Sequence, residues 1–236
     1  HQGAPLRCET LTITYSKKRR IEMLKGLCTP VVMSGALLLT AAAHAAPTNL
    51  IANGGFETGD FSSWSQAIAG TQSISAVNPK TGSYAAELNN TSPSANIISQ
   101  TGLGAGFLTA GQSVTVSFDF RGVASAGGVF FPELFSLDAN NAVTKTEIVG
   151  GGPLFPNANA STWTNFSVTT TIGPDVAGGL TLSLNAPCGA DGGCVANYFI
   201  DNVAVVADIA AVPVPAAAWL FGSALAGLTV LRRKQS

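Results

Sequence analysis

The sequence predicts an all-β fold, a β-sandwich, on three observations. Residues 112–120 alternate without a break: Val114, Val116, Phe118 and Phe120 fall on one face, and Ser113, Thr115, Ser117 and Asp119 on the other. That two-residue period belongs to a strand with one side buried. Similar short runs recur at 72–77, 84–88, 96–100, 129–137, 143–149, 163–172, 180–185 and 198–206, giving about nine strands. Clusters of Gly, Asn, Pro and Ser separate them, including Gly150-Gly151-Gly152-Pro153, and no helical period of any length intervenes. Many short strands at close spacing point to a sandwich.

In chain order, residues 1–22 stand outside this pattern and carry a basic run, Lys17 to Arg20. They are expected to be an upstream extension, with Met23 as the start. From there Lys25 leads a largely apolar stretch, Leu27 to Ala43, that ends in Ala43-His44-Ala45. A positive start, an apolar centre and an A-x-A site make residues 23–45 a secretory signal peptide. Glu22 stands where a twin-arginine signal needs a large apolar residue, and Leu27 before Cys28 does not suit a lipoprotein site.

Residues 46–208 then form the folded domain, 163 residues in one core. Three basic residues (Lys80, Arg121, Lys145) face eleven carboxylates there, a net charge of −8. Such a surface repels phosphate, which argues against nucleic acid as a partner. Both histidines, His1 and His44, lie outside the domain. The domain therefore cannot build a Ser-His or Cys-His nucleophile or a His-containing zinc site. Cys188 and Cys194 close the loop PCGADGGC and are expected to form a local disulfide in an oxidising compartment. Gly102, Gly104 and Gly106 read as turn glycines, since no helix follows to present amides to a phosphate.

After a Pro-containing linker at 209–215, residues 216–231 carry no charge and end against Arg232, Arg233 and Lys234. As a helix the run spans about 24 Å at ~1.5 Å per residue, close to a bilayer's hydrocarbon core if its flanks contribute. The basic end at 232–236 holds that side in the cytoplasm and leaves the domain outside. The order Val212-Pro213, Pro215, Trp219, Arg232-Arg233-Lys234 resembles the PEP-CTERM sorting tails of Gram-negative bacteria, in the VPLPA variant, with Val214 in the Leu position. The resemblance implies an exosortase-type membrane protease as partner and passage through the inner membrane. It implies a final place at the cell surface or in the extracellular matrix.

A second resemblance rests on NLIANGGFETGDFSSW at 49–64, KTGSYAAEL at 80–88 and YFIDNVAVV at 198–206. These resemble the calcium-containing jelly rolls of carbohydrate-binding modules. The resemblance implies a structural calcium ion held by the Glu57 and Asp201 side chains and by backbone oxygens at Lys80 and Gly82. It also implies a polysaccharide as partner. The competing reading is that Glu57 caps a turn and Asp201 pairs with backbone amides.

For sugar binding, Asp119 and Arg121 beside Thr115 and Ser117 form a candidate polar cleft wall, and Phe131 is a candidate ring platform. The ordinary reading of Asp119 and Arg121 is a solvated surface pair. Trp64 and Trp163 sit near strand starts, where core packing is expected. Two further readings remain: a matrix protein with no glycan ligand, and a glycosidase in which Glu87, Glu133 and Asp138 converge as paired carboxylates.

Overall fold

The computed structural model describes residues 46–67, 71–189 and 192–209. The upstream extension, the signal peptide, the spanning helix, the basic tail and all of the linker after Ile209 lie outside the described residues.

Eleven strands appear among the described residues: β1 (Ala46–Asn49), β2 (Ser65–Ala67), β3 (Thr71–Ser75), β4 (Ala85–Asn90), β5 (Ile97–Leu103), β6 (Ser113–Ser125), β7 (Phe131–Leu137), β8 (Val143–Ile148), β9 (Thr164–Thr171), β10 (Gly179–Asn185) and β11 (Val195–Ile209). They form two sheets. One runs β3-β4-β11-β6-β9, with β1 also on β11; the other runs β2-β5-β10-β7-β8. Every pairing is antiparallel. From β4 onward the chain passes repeatedly between the two sheets. Two strands escaped the sequence reading, β1 and β2. Both are short and fully exposed, so neither shows an alternation.

The alternation of β6 does what its pattern requires. Val114, Val116, Phe118 and Phe120 are all buried. Phe118 stacks on Phe166 at 4.8 Å and meets Phe130 edge-on at 5.7 Å, and Phe130 stacks on Tyr198 at 5.0 Å. Rings of the six-stranded sheet thus interlock with Phe130, which directly precedes β7, at the centre of the sandwich. The Tyr198 hydroxyl donates to the Leu154 carbonyl at 3.1 Å, and burial pushes its phenol pKa up.

One irregularity positions the site. Between Asp201 and Ala204 the register of β11 against β6 shifts by one residue, and Asn202 takes a positive φ of 54°. This bulge changes which residues of β11 face inward. Ala196, Tyr198 and Ile200 are buried before it, and Val203, Val205 and Ala207 after it. Asp201, at the switch, accepts amides of the β3–β4 turn and lies beside Gly55 of the loop that leads from β1.

That loop is the N-G-G-F-E stretch, and Asn53, Gly54 and Phe56 each have a physical reason. Asn53 sits at φ 49°, and its amide nitrogen donates to the carbonyls of Asp60 and Ser62. Gly54 lies so close to β11 that a Cβ would overlap the Val203 carbonyl oxygen, while the Val203 amide donates to Gly54 at 2.9 Å. Phe56 is fully buried and stacks on Trp64 at 5.5 Å. Glycine is required where two backbones approach this closely.

Candidate functional site

Three places on the domain carry candidate functional side chains. The first is the junction between the two ends of the domain. Asp201 is 0% exposed. Its Oδ2 accepts the amides of Lys80 (2.9 Å) and Thr81 (3.0 Å), and its Oδ1 accepts the Asn202 amide at 2.7 Å. Glu57, which is exposed, accepts the amides of Ser83 (3.0 and 3.1 Å) and Tyr84 (3.1 Å). Gly82 lies between these amides at φ 62°, and a Cβ there would overlap the Glu57 carboxylate. One turn therefore offers four N–H donors to two carboxylates.

The resemblance places Glu57, Lys80, Gly82 and Asp201 together, and the structure brings them together through amide donors: Glu57 caps the turn and Asp201 pairs with backbone amides, as the competing reading has it. Lys80 meets Asp201 through its amide. Burial raises the Asp201 pKa above its ordinary value, and the Glu57 charge adds to that rise against the three amide bonds. Among the described residues no group of three or more His, Cys, Asp or Glu side chains gathers for a metal. Calcium needs six to eight oxygens, and here both carboxylates are already engaged by backbone amides.

The second place is the outer face of the six-stranded sheet. Asp119 and Arg121 both lie there, only 6% and 7% exposed. They are neither a solvated pair nor partners of each other. Asp119 accepts the side-chain amides of Asn165 (3.2 Å) and Asn202 (3.0 Å). The Arg121 guanidinium lies 3.8 Å from the Phe199 ring centroid and 5.2 Å from that of Trp163, and its Nη2 donates to the Val77 carbonyl at 2.7 Å. Burial pulls the Arg121 pKa down, and the Glu87 charge opposes this. Trp163 is thus a lid over a stacked arginine and not a core residue. Its Nε1 donates to the Asn78 carbonyl at 3.3 Å. These contacts make a packed surface, in which Arg121 Nε and the Asn197 side-chain oxygen are buried without a hydrogen-bond partner among the described residues.

The third place is the outer face of the five-stranded sheet. Along β7, Pro132, Leu134 and Ser136 point inward, while Phe131, Glu133 and Phe135 are half-exposed on the other side. The register sets Asn185, Ser183 and Thr181 of β10 opposite them, one to one. Ser183 donates to Glu133 at 3.3 Å, and Thr181 to Thr101 of β5 at 3.2 Å. The Asn185 side-chain oxygen is buried without a hydrogen-bond partner among the described residues. Two rings about 14 Å apart, at ~3.4 Å per residue, flank a carboxylate beside a row of hydroxyls and an amide. Phe131 therefore lies on the opposite side of the sandwich from Asp119 and Arg121.

The same geometry disposes of the paired-carboxylate constellation. Glu87 faces out of the six-stranded sheet, bonded by Asn197 (3.0 Å) and Ser73 (3.4 Å). Glu133 faces out of the other sheet, and Asp138 caps a turn through the amides of Asn140 and Ala142. These three cannot flank one glycosidic bond. Cys188 and Cys194 are joined by a disulfide, with Cα atoms 5.8 Å apart.

No protein-family model matches the sequence, and no curated protein matches it. Solved structures do. A xylan-binding domain, CBM22-1 of Paenibacillus barcinonensis Xyn10C, superimposes with a TM-score of 0.52 at 17% identity, over 72% of this chain and 100% of that one. The fold is the jelly roll found in carbohydrate-binding modules. The CBM22-1–CBM22-2 tandem of the same protein gives 0.51 at 15% identity, over 72% of this chain and 50% of that one. The enzymatically active domain of tailspike protein 4 of bacteriophage CBA120 gives 0.52 at 16% identity, over 66% of this chain. This chain spans only 21% of that tailspike chain. At these identities the likeness is one of fold.

The raised Asp201 pKa has a definite sign. A carboxyl whose folded pKa exceeds its unfolded value stabilises the fold when protonated, and that contribution is lost as pH rises through the folded pKa. In calcium-free buffer, an NMR titration should place the Asp201 midpoint above the ordinary 3.8. Stability to urea should then rise as the pH falls toward that midpoint. Asp60 and Glu147 act in the opposite sense at lower pH, since their pKa values are lowered. An Asp201 midpoint at or below 3.8 would contradict the reading.

Proposed function

We propose that this chain is an exported, non-catalytic surface or matrix protein that binds a neutral polysaccharide. The binding face is the outer side of the five-stranded sheet. The observation that carries the reading is the Phe131–Glu133–Phe135 row set against Thr181, Ser183 and Asn185. Sugar rings present apolar C–H faces and hydroxyl rims, and a sheet that alternates aromatic rings with hydrogen-bonding groups complements both. The domain's charge of −8 disfavours polyanionic glycans. The jelly-roll likeness is consistent with this role, since the relative from Paenibacillus barcinonensis is a xylan-binding domain.

The rest of the proposal follows from the termini. The chain crosses the inner membrane of a Gram-negative bacterium on its signal peptide. An exosortase-type protease then processes it at the sorting tail, and it remains at the cell surface or in the matrix. A disulfide at Cys188–Cys194 suits that oxidising destination. A structural calcium ion at Glu57 and Asp201 joins the two ends of the domain, and it offsets the charge that burial makes costly at Asp201.

Two measurements test this. Affinity electrophoresis against a panel of neutral polysaccharides should show retardation that falls about tenfold for Phe131→Ala and for Phe135→Ala, roughly the ~1.4 kcal/mol of one stacked ring. Arg121→Lys should bind as the parent does. Binding unaffected by either Phe change, or lost only with Arg121→Lys, would move the site to the other sheet. For the ion, calcium at a hundredfold excess over its Kd should add about 2.7 kcal/mol, a Tm rise of roughly 5–10 °C. Glu57→Gln should abolish the calcium-dependent rise. An equal rise in Glu57→Gln would exclude this junction as the ion's place.

A further inference from the structure

At the end of the sandwich where the chain leaves β11 lies an apolar groove of about 400 Å³, lined by Thr48, Leu50, Gly104, Ala105, Phe107 and Ile209. Phe107 stands at its rim with 63% of its surface exposed. Gly102, Gly104 and Gly106 all have positive φ, and they carry the β5–β6 loop around so that this ring is displayed. Such a ring on a monomer's surface, beside further apolar surface, marks a place of contact.

We infer that the groove seats this chain's own segment 212–215, Val-Pro-Val-Pro. Three features of the chain point to that occupant. Ile209 is a wall of the groove and the last described residue, so the segment begins three residues away. Ala210, Ala211 and Val212 reach about 9 Å at the ~3.1 Å per residue of an extended proline-type chain, enough to lay Pro213 and Pro215 on the groove. The chain carries no charge from Ala210 to Leu231, so nothing in the segment resists burial against Leu50 and Phe107. Proline-rich segments dock on aromatic-lined apolar grooves with little entropy to lose. A tether this short also supplies an effective concentration in the millimolar range, which makes a weak contact sufficient.

Docking would hold the sorting motif against the domain and set the angle at which the domain stands over the membrane. This inference does not depend on glycan binding.

Cysteine trapping in the full chain tests it, with Cys8→Ser and Cys28→Ser introduced to remove other free thiols. Ala105→Cys with Val214→Cys should form an intramolecular disulfide at least tenfold faster than Val123→Cys with Val214→Cys. Val123 is 47% exposed and pairs with Asn197 in β11, far along the sheet from the Val114–Ala207 pair. Adding Phe107→Ser to the Ala105→Cys pair should cut the rate severalfold, and Phe107 is exposed enough for the fold to survive. Equal rates for the two pairs overturn the inference. Disulfides found only between two chains overturn it as well and assign the groove to a second copy.

Discussion

Two carboxylates from opposite ends of the domain, Glu57 and Asp201, meet over one turn, and the amides of Lys80, Thr81, Ser83 and Tyr84 hold them there. Like charges at this separation repel, and burying Asp201 adds a desolvation cost. Hydrogen bonds to charged acceptors, each worth about 1.5–3 kcal/mol when shielded from water, offset part of that cost and leave the Asp201 pKa raised. The Asp201 bonds are the shielded ones; those to exposed Glu57 contribute less. The sheet order, the bulge in β11 and the close approach at Gly54 all serve to bring these groups together.

With the ends tied, the two outer faces are free to differ. The six-stranded sheet spends its polar groups on itself: Arg121 between Phe199 and Trp163, Asp119 between Asn165 and Asn202. Its buried atoms without a partner among the described residues are Arg121 Nε and the Asn197 side-chain oxygen. The five-stranded sheet keeps two half-exposed rings and an amide oxygen without a partner. In the proposed function the sugar lies on this face because its half-exposed rings stand in register with hydroxyls and an amide.

Much of this was legible in the sequence. The alternation in β6 identified its buried face, because a strand with one wet side has no other way to pattern its residues. The N-G-G-F-E and F-I-D-N-V stretches located the junction. The face proposed for the ligand was not legible, because it depends on register. Phe131 and Phe135 gain meaning only when Asn185 and Thr181 stand opposite, and no local pattern gives the pairing of β7 with β10. Arg121 misled for a related reason. Its two aromatic partners come from β11 and from the loop before β9, so an arginine that looked solvated is stacked and buried. Glu87 and Glu133 look like equivalent acids in the sequence, and only the sheet assignment sets them on opposite sides.

Amide hydrogen exchange tests the junction most directly. The Lys80 and Thr81 amides lie in an otherwise exposed turn, where free amides exchange at nearly the rate of an open loop. Bound to buried Asp201, they should open only with the core and exchange at least about a hundredfold more slowly than the β5–β6 loop. If both exchange as fast as that loop while β6 and β11 stay protected, the two ends are not tied through Asp201 and the account fails.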